Sequence, residues 1–321
     1  MAVIGVDIGG TKVASGIFDD DGQILVRRTS QLAAAEGDAG EVILDLVSDL
    51  IDSVSEHPRA LGVSVPGIFY AERGTVWAPN VPGWTDYPLA SVLSEKVGDR
   101  MSVHVDSDRA CYVLGEEWQG RAQGCGNVIF LAVGTGIGAG ILIDGRILRG
   151  IGDAAGAIGW MALQRPWQTR YDDCGCFEYH ASGRGIPNVA RDVLASNPAY
   201  GGVLSQKPPE SITAVDVVEA ESEGDAVALQ VMSQCIEFWG MAVANLVSLF
   251  NPEMIVLGGG VFESASRFLP RIRAEARKWA QPISIDQVAI ETSTLGADAG
   301  LYGAARLAIN QPGQRGDHLQ A

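Results

Sequence analysis

The sequence predicts an α/β protein built from two similar halves that face each other across a cleft. Three observations carry this. The N-terminal stretch VIGVDIGGTKVASGIFDDDGQILVRR has a counterpart in VIFLAVGTGIGAGILIDGRILRG, which starts at Val128. Each runs in the order apolar strand, glycine-rich turn, strand, Asp-Gly turn, strand, and such a duplication marks two related structural units. Between and after the copies, helix-like stretches alternate with short apolar strands, the pattern of α/β folds. The chain is also long enough for two lobes, at 321 residues with 47% hydrophobic content.

In the first copy, strand Val3–Val6 enters a Gly-Gly turn, and a second strand, Val13–Phe18, leaves it. An Asp21-Gly22 hairpin turn then leads to Ile24–Arg27. Helices are expected at Glu41–Ser55, Leu89–Val97 and Ala110–Gly120, with short strands in ALGVSVPG and SVHVDS. The second copy has its glycine turn at Gly134–Gly138, a strand at Gly140–Ile143 and an Asp144-Gly145 turn. A long apolar helix follows at Ala226–Phe250. A buried strand then runs into glycines in MIVLGGG (254–260), and a closing helix spans Ala297 to about Ala308.

The charge balance narrows the partners. With 23 basic and 39 acidic residues, the net charge is −16, spread along the chain. Such a protein is repelled by nucleic acid and by anionic lipid, so neither is expected as a partner. Any phosphate it binds has to be held by backbone amides, helix dipoles and a metal ion. Asp7 interrupts the N-terminal apolar run, and the run Trp239–Phe250 is too short to span a bilayer, so neither an export signal nor a membrane span is expected. Five cysteines, an odd number, fit reduced thiols in a cytoplasm better than a disulfide framework.

Glycines at the two turns let backbone N–H groups approach an anion, because no Cβ intervenes. Thr11 and Lys12 add a hydroxyl and a cation beside the first turn, and Asp7 is placed to orient a hydrated Mg²⁺. One such turn alone reads as an ordinary hairpin; two matching turns, one carrying Asp, Thr and Lys, point to phosphate. The second turn, GTGIGAG, also satisfies a dinucleotide-binding spacing through Gly134, Gly136 and Ala139. That motif needs a helix to follow, and a hairpin follows here, so the nicotinamide reading is set aside. The three glycines Gly258, Gly259 and Gly260 end a buried strand where an adenosine could lie flat on the backbone.

DDCGCFEYHASG (172–183) raises a separate question, because Cys174, Cys176 and His180 are three potential metal ligands. Structural zinc takes four at tetrahedral spacing, so the trio by itself falls short.

Together these segments resemble the ROK family (repressors, open reading frames and sugar kinases) of the actin-like ATPase superfamily, in order along nearly the whole chain. DIGGTK (7–12) is similar to its first phosphate motif, including Asp7, Gly9, Gly10, Thr11 and Lys12. AVGTGIGAG (132–140) resembles the second, with Gly134, Thr135, Gly136 and Gly138, and VLGGGV (256–261) resembles the adenosine motif. VPGI and WAPNVPGW resemble the sugar-side loop, which brings in Gly67 and Asn80. GADAGLYGAA (296–305) resembles the connecting helix. The resemblance implies two ribonuclease-H-like lobes around a central cleft that closes on ATP and a sugar. The lobes are expected at 1–118 and 119–296, with a C-terminal helix, 297–312, returning to the first. Because the chain starts at its first phosphate strand, it resembles the kinase branch rather than the DNA-binding repressors.

The resemblance also implies a base. Anchored on Leu114, Gly115 and Glu116, the family's Asn-Asp-x-Asn motif falls on Ser107, Asp108 and Ala110. Asp108 then resembles the general base that takes the proton of a primary hydroxyl. The alternative is that Asp106 or Asp108 merely caps the helix that starts nearby. Ser107 replaces a substrate-binding Asn and keeps one donor of shorter reach. The family's Gly-Glu-Ile-Gly-His is GAIGW here, so Ala157 replaces a sugar-binding Glu and Trp160 a zinc-binding His. The two upstream cysteine positions hold Thr169 and Tyr171, and only Cys176 of the zinc ligands remains. DDCGC therefore reads as the remnant of a zinc loop, with no structural zinc expected. Trp160 and Trp167 are candidates to hold the loop by packing, and Glu178 matches the carboxylate that grips sugar hydroxyls.

The expected activity is ATP- and Mg²⁺-dependent phosphorylation of a hexose-like substrate by a cytoplasmic homodimer. An amino or deoxy sugar or a C7-cyclitol is expected over glucose. The alternatives are a zinc-free glucokinase and a non-catalytic sugar sensor.

Overall fold

The computed structural model describes residues 2–32, 39–54 and 57–310. These divide into two units. The first comprises the described residues up to 124, with 149–155 and 298–310, and the second residues 125–148 and 156–297. The first boundary therefore falls a few residues beyond the expected 118, and the short segment 149–155 joins the first unit. Ser55 of the expected first helix and residues 311 and 312 of the expected closing helix lie outside the described residues.

In the first unit, β1 (Val3–Ile8), β2 (Lys12–Phe18), β3 (Ile24–Gln31), β4 (Ala60–Val65) and β7 (Ser102–Ser107) form one sheet in the order β3-β2-β1-β4-β7. A small hairpin of β5 (Ile68–Tyr70) and β6 (Thr75–Trp77) stands apart from it. In the second unit, β8 (Val128–Val133), β9 (Ile137–Ile143), β10 (Arg146–Ile147), β11 (Met254–Gly258) and β12 (Ala289–Thr292) take the order β10-β9-β8-β11-β12. The two orders correspond strand for strand. In each sheet the central strand pairs antiparallel to its hairpin partner and parallel to a strand reached by a crossover. The repeat read from the sequence is thus a repeat of topology.

Helices α1 (Ala39–Asp52), α2 (Leu89–Val97), α3 (Asp108–Gln119) and α11 (Ala299–Ile309) belong to the first unit. The second holds α4 (Cys176–Ala181), α5 (Gly185–Ala195), α6 (Ala214–Ser222), α7 (Ala226–Phe250), α8 (Gly260–Ala265), α9 (Leu269–Trp279) and α10 (Pro282–Gln287). Strands β1 and β4 read as near-continuous apolar runs because parallel strands are covered on both faces, and they are buried almost throughout. Helix α7 is long and apolar enough to cross a membrane by length and composition. It is instead the central element of the second unit's core, with Val231, Trp239, Val243 and Val247 fully buried. An apolar helix of this kind needs a core on most of its circumference.

Candidate active site

Asp108 is the first residue of α3, directly after β7. The helix is capped by Ser107, whose extended backbone lets its Oγ accept the Ala110 N–H at 3.4 Å. The capping alternative for Asp106 and Asp108 is therefore replaced by the residue between them. The Ser107 hydroxyl proton remains available to donate. Asp108 Oδ1 accepts the Arg109 N–H at 2.7 Å, and the Tyr112 hydroxyl lies one turn along against the same carboxylate. Burial raises the Asp108 pKa to about 6, against the pull of the Arg109 charge and these hydrogen bonds.

Asp7, near the end of β1, has its own pKa raised to about 6, again mainly by burial. The Ser64 hydroxyl opposes that rise, the Asp108 and Asp298 charges add to it, and Lys12 offsets part of it. The Asp7 carboxylate lies against α11 at Gly300, where an added Cβ would sit 2.5 Å from its Cγ. The turn beyond it is closed by the Gly9 N–H on the Lys12 carbonyl at 2.9 Å, with Gly10, Thr11 and Lys12 exposed. Gly67 takes φ +102°, a left-handed conformation that excludes other residues at low cost, and it packs on the Trp77 carbonyl. Asn80 stands exposed on a loop closed by the Ala78 N–H on the Trp84 carbonyl at 2.7 Å.

Sequence reasoning did not find the arginines around Asp108. Arg149 grips the buried Asp106 with two bonds, Nη1 to Oδ1 at 2.8 Å and Nη2 to Oδ2 at 2.6 Å. Asp106 Oδ1 also accepts the Ser107 N–H at 2.8 Å. Arg109 reaches the Ala155 and Gly67 carbonyls, both at 3.4 Å. The partners of the first pair lie 43 residues apart, and no local spacing signals such a pair.

In the second unit the glycine turn is shorter than expected, because β9 already begins at Ile137. Gly134 donates to the Gly136 carbonyl at 3.0 Å, and the Gly183 and Arg184 N–H groups bond the Gly134 and Thr135 carbonyls from behind. Gly138 is therefore a strand residue paired with Ala132, not part of the loop. Gly258 likewise belongs to β11 and packs beneath the Phe130 ring. Gly259, at φ +92°, turns the chain into α8, which starts at Gly260. Glu178 sits in the first turn of α4. Its Oε2 accepts the Ile137 N–H at 2.6 Å, while Oε1 makes no hydrogen bond among the described residues. Burial raises its pKa, countered by that N–H and by the Arg184 charge. Gly136 and Gly159 wall the carboxylate, and Cβ atoms there would come within 2.7 Å and 2.9 Å of Oε2. Ala157 is exposed, and so is Trp160, at the end of a short 3₁₀ turn.

The cysteine stretch is held differently from expectation. Trp160 and Trp167 are 57% and 64% exposed, so neither fastens the loop. Tyr171 and His180 do so instead. The Tyr171 hydroxyl meets His180 Nε2 at 2.8 Å, and the imidazole stacks on Phe238 with centroids 4.5 Å apart. Two further bonds nail α4 to α7, from the Cys235 thiol to the His180 carbonyl and from Trp239 Nε1 to the Ala181 carbonyl at 3.1 Å. Burial lowers the His180 pKa to about 4. Cys176 is buried, and the Cys174 thiol turns to its neighbour's carbonyl. Among the described residues no His, Cys, Asp and Glu side chains gather as a metal site.

Residues 3–311 match the model of the ROK family. A glucokinase of Halalkalibacterium halodurans is 31% identical over 96% of this chain and 95% of its own length. An N-acetyl-D-glucosamine kinase of Vibrio parahaemolyticus is 27% identical over 95% and 99%. The crystal structure of a ROK glucokinase from Streptomyces griseus, in complex with glucose and AMPPNP, superposes with a TM-score of 0.77 at 31% identity. It covers 97% of this chain and all of that one. With duplicated sheets of one topology and a family match from end to end, the chain belongs to the ROK family and has its two-lobed, actin-like ATPase fold.

Proposed function

We propose that this carbohydrate kinase transfers the γ-phosphoryl group of ATP to the primary hydroxyl of a hexose-like ring, and that it prefers a modified ring to glucose. The observation that carries the reading is Asp108: a half-buried carboxylate at a helix start, with a pKa near 6. At neutral pH it is ionised yet basic enough to take a hydroxyl proton as the oxygen attacks phosphorus, a contribution of ~10²–10⁴-fold. Positioning and charge stabilisation supply most of the rest in phosphoryl transfer.

Asp7 is the residue for Mg²⁺ carried on the nucleotide. Its half-buried carboxylate, beside Asp108 and with one lysine to offset it, is a hard-oxygen donor in need of a cation. When bound, the ion would neutralise charge on the phosphates. Gly9, Gly10, Thr11, Lys12, Gly134, Thr135 and Gly136 are assigned to the phosphates, and Gly259 and Gly260 to the adenosine. Gly138 and Gly258 keep a supporting role in their strands. Glu178 accepts from ring hydroxyls through Oε1, Ser107 donates one hydrogen bond, and Asn80 and Gly67 shape the sugar-side loop.

Ala157 and Trp160 are the residues assigned to specificity. Neither replaces the hydrogen bonds of a carboxylate and an imidazole, and an unpaired buried sugar hydroxyl costs ~1–3 kcal/mol. Trp160 offers a broad apolar face with one donor, suited to a deoxy, amino or carbocyclic edge. Measuring kcat/KM for glucose, glucosamine, kanosamine, mannose and a valiolone-type cyclitol tests this. A tenfold lead for glucose would make the chain a zinc-free glucokinase, and no turnover on any acceptor would favour the sensor. The same reading places the enzyme in the cytoplasm with its ATP. It also makes the enzyme a homodimer, supported by exposed Leu249, Trp279 and Ile283 near the Gln281–Ser248 bond.

A further inference from the structure

The residues before and after Asp108 are tied to one short segment. Two positions upstream, Asp106 is 2% exposed, and both its oxygens are engaged by Arg149. One position downstream, the Arg109 guanidinium bonds the carbonyl of Ala155. Arg149 and Ala155 are the two ends of the segment 149–155, which closes on itself through the Ala155 N–H on the Arg149 carbonyl at 2.9 Å. Between them, Asp153 Oδ2 accepts the Ala71 N–H at 3.1 Å, next to the β5–β6 hairpin. Three of its residues, Gly150, Gly152 and Asp153, have φ between +57° and +67°, so the segment keeps a backbone shape that most sequences avoid.

We infer that the segment 149–155 is a brace that positions Asp108 for proton removal, with Arg149 as its decisive positioning residue. The physical reason is geometric. Asp106 Oδ1 accepts both Arg149 Nη1–H and the Ser107 N–H, so the guanidinium fixes the Asp106–Ser107 peptide, one residue before Asp108. A bidentate guanidinium–carboxylate pair sets direction as well as distance, which a lysine or a water does not. Arg109 fixes the other side and, through the Gly67 carbonyl, ties the sugar-side loop to the same segment. Small misplacements of a reacting group are costly in rate, so such a brace acts on kcat rather than on nucleotide binding.

This inference rests on the kinase reading, and the experiment separates the two. The unaltered chain is assayed first with Mg-ATP and the acceptor panel; turnover there establishes the reading, and its absence overturns both. In the active enzyme, Arg149→Met and Asp106→Asn are each expected to lower kcat at least tenfold, with KM for ATP within about twofold. Because Arg149→Met strands a buried charge and can fail to fold, the double variant Asp106→Asn/Arg149→Met is the main test. It should melt near the parent temperature yet keep the kcat loss, without adding the two single losses together. Arg149→Lys should recover part of kcat. A double variant with kcat within twofold of the parent, or losses that follow the melting temperature alone, would overturn the brace.

Discussion

The β1–β2 and β8–β9 hairpins share a register and differ in what fills it. Asp7 pairs with Ala14 one residue before the end of β1; at the matching place in β8, Ala132 pairs with Gly138. In the first hairpin the strand itself supplies a carboxylate, pressed against α11. In the second the strand supplies only small side chains, and the carboxylate, Glu178, comes from helix α4 and rests over the turn at Gly136. The shared fold asks only for apolar strands and glycine at the bend. Chemistry enters through one substitution in a strand, or through a helix delivered from elsewhere in the chain. Two copies of one topology can thus diverge in function at low structural cost.

The largest proposed break in this symmetry is the base, a role assigned above to Asp108 of the first unit. Asp108→Asn should lower turnover by ~10²–10⁴-fold with little change in ATP affinity. The same substitution should stabilise the fold. A carboxyl raised from 3.8 to about 6 stays protonated in the folded chain while the unfolded chain ionises. Its contribution to stability is therefore full below about pH 4 and lost as the pH rises through 6. At neutral pH the neutral amide avoids that cost, on the order of 1–3 kcal/mol. Activity runs the opposite way, with kcat/KM falling as the pH drops below about 6. Calorimetry and a pH–rate profile check both signs, and an unchanged melting temperature with full activity would remove Asp108 from the mechanism.

How far the sequence reveals this asymmetry depends on range. Helices α2 and α7 run from Leu89 to Val97 and from Ala226 to Phe250, as their apolar patterns predict, because local periodicity specifies them. The second turn is shorter than its glycines suggest, since glycine signals a bend and yet Gly138 and Gly140 lie in a strand facing Ala132 and Phe130. Motif spacing is what singles out Asp108 and Glu178 as candidates, and it gives no sign of Arg149, whose partner Asp106 is set by tertiary folding. The two tryptophans misled for a related reason: bulk in a sequence says nothing about which way a loop turns.

The comparison sharpens at the two glycines that abut the two carboxylates. Gly300→Ala places a Cβ 2.5 Å from Asp7 Cγ and about as close to both its oxygens, and so short a side chain has little room to yield. Gly136→Ala meets Glu178 Oε2 at 2.7 Å, the far end of a longer side chain that can swing. The first variant should raise KM for ATP severalfold and leave the acceptor's alone. The second should raise the acceptor's KM by less and spare ATP. Steady-state kinetics with each substrate varied decides it, and identical profiles for the two variants would mean that the hairpins do not divide the labour.

The smallest expected effect concerns what holds Glu178 in place. Tyr171→Phe keeps the ring in its buried site but removes the hydroxyl from His180 Nε2. The Nδ1 atom of that imidazole already has no hydrogen-bond partner among the described residues. Leaving a buried ring nitrogen unpaired costs ~1–3 kcal/mol, a loss of several degrees in melting temperature rather than of the fold. The His180 pKa, lowered to about 4 by burial, adds a pH signature. The folded protein favours the neutral ring, so this stability is present above about 6.5 and drains away as the pH falls through 4. Tyr171 and His180 supply a fastening of the loop from side chains alone, so the expected outcome is that a chelator leaves the melting temperature of both parent and variant unchanged and that elemental analysis finds well under one zinc per chain. The acceptor's KM should rise slightly in Tyr171→Phe, since α4 carries both His180 and Glu178. Stoichiometric zinc, or a variant as stable as its parent, would show that something other than the Tyr171–His180 pair secures the second unit's carboxylate.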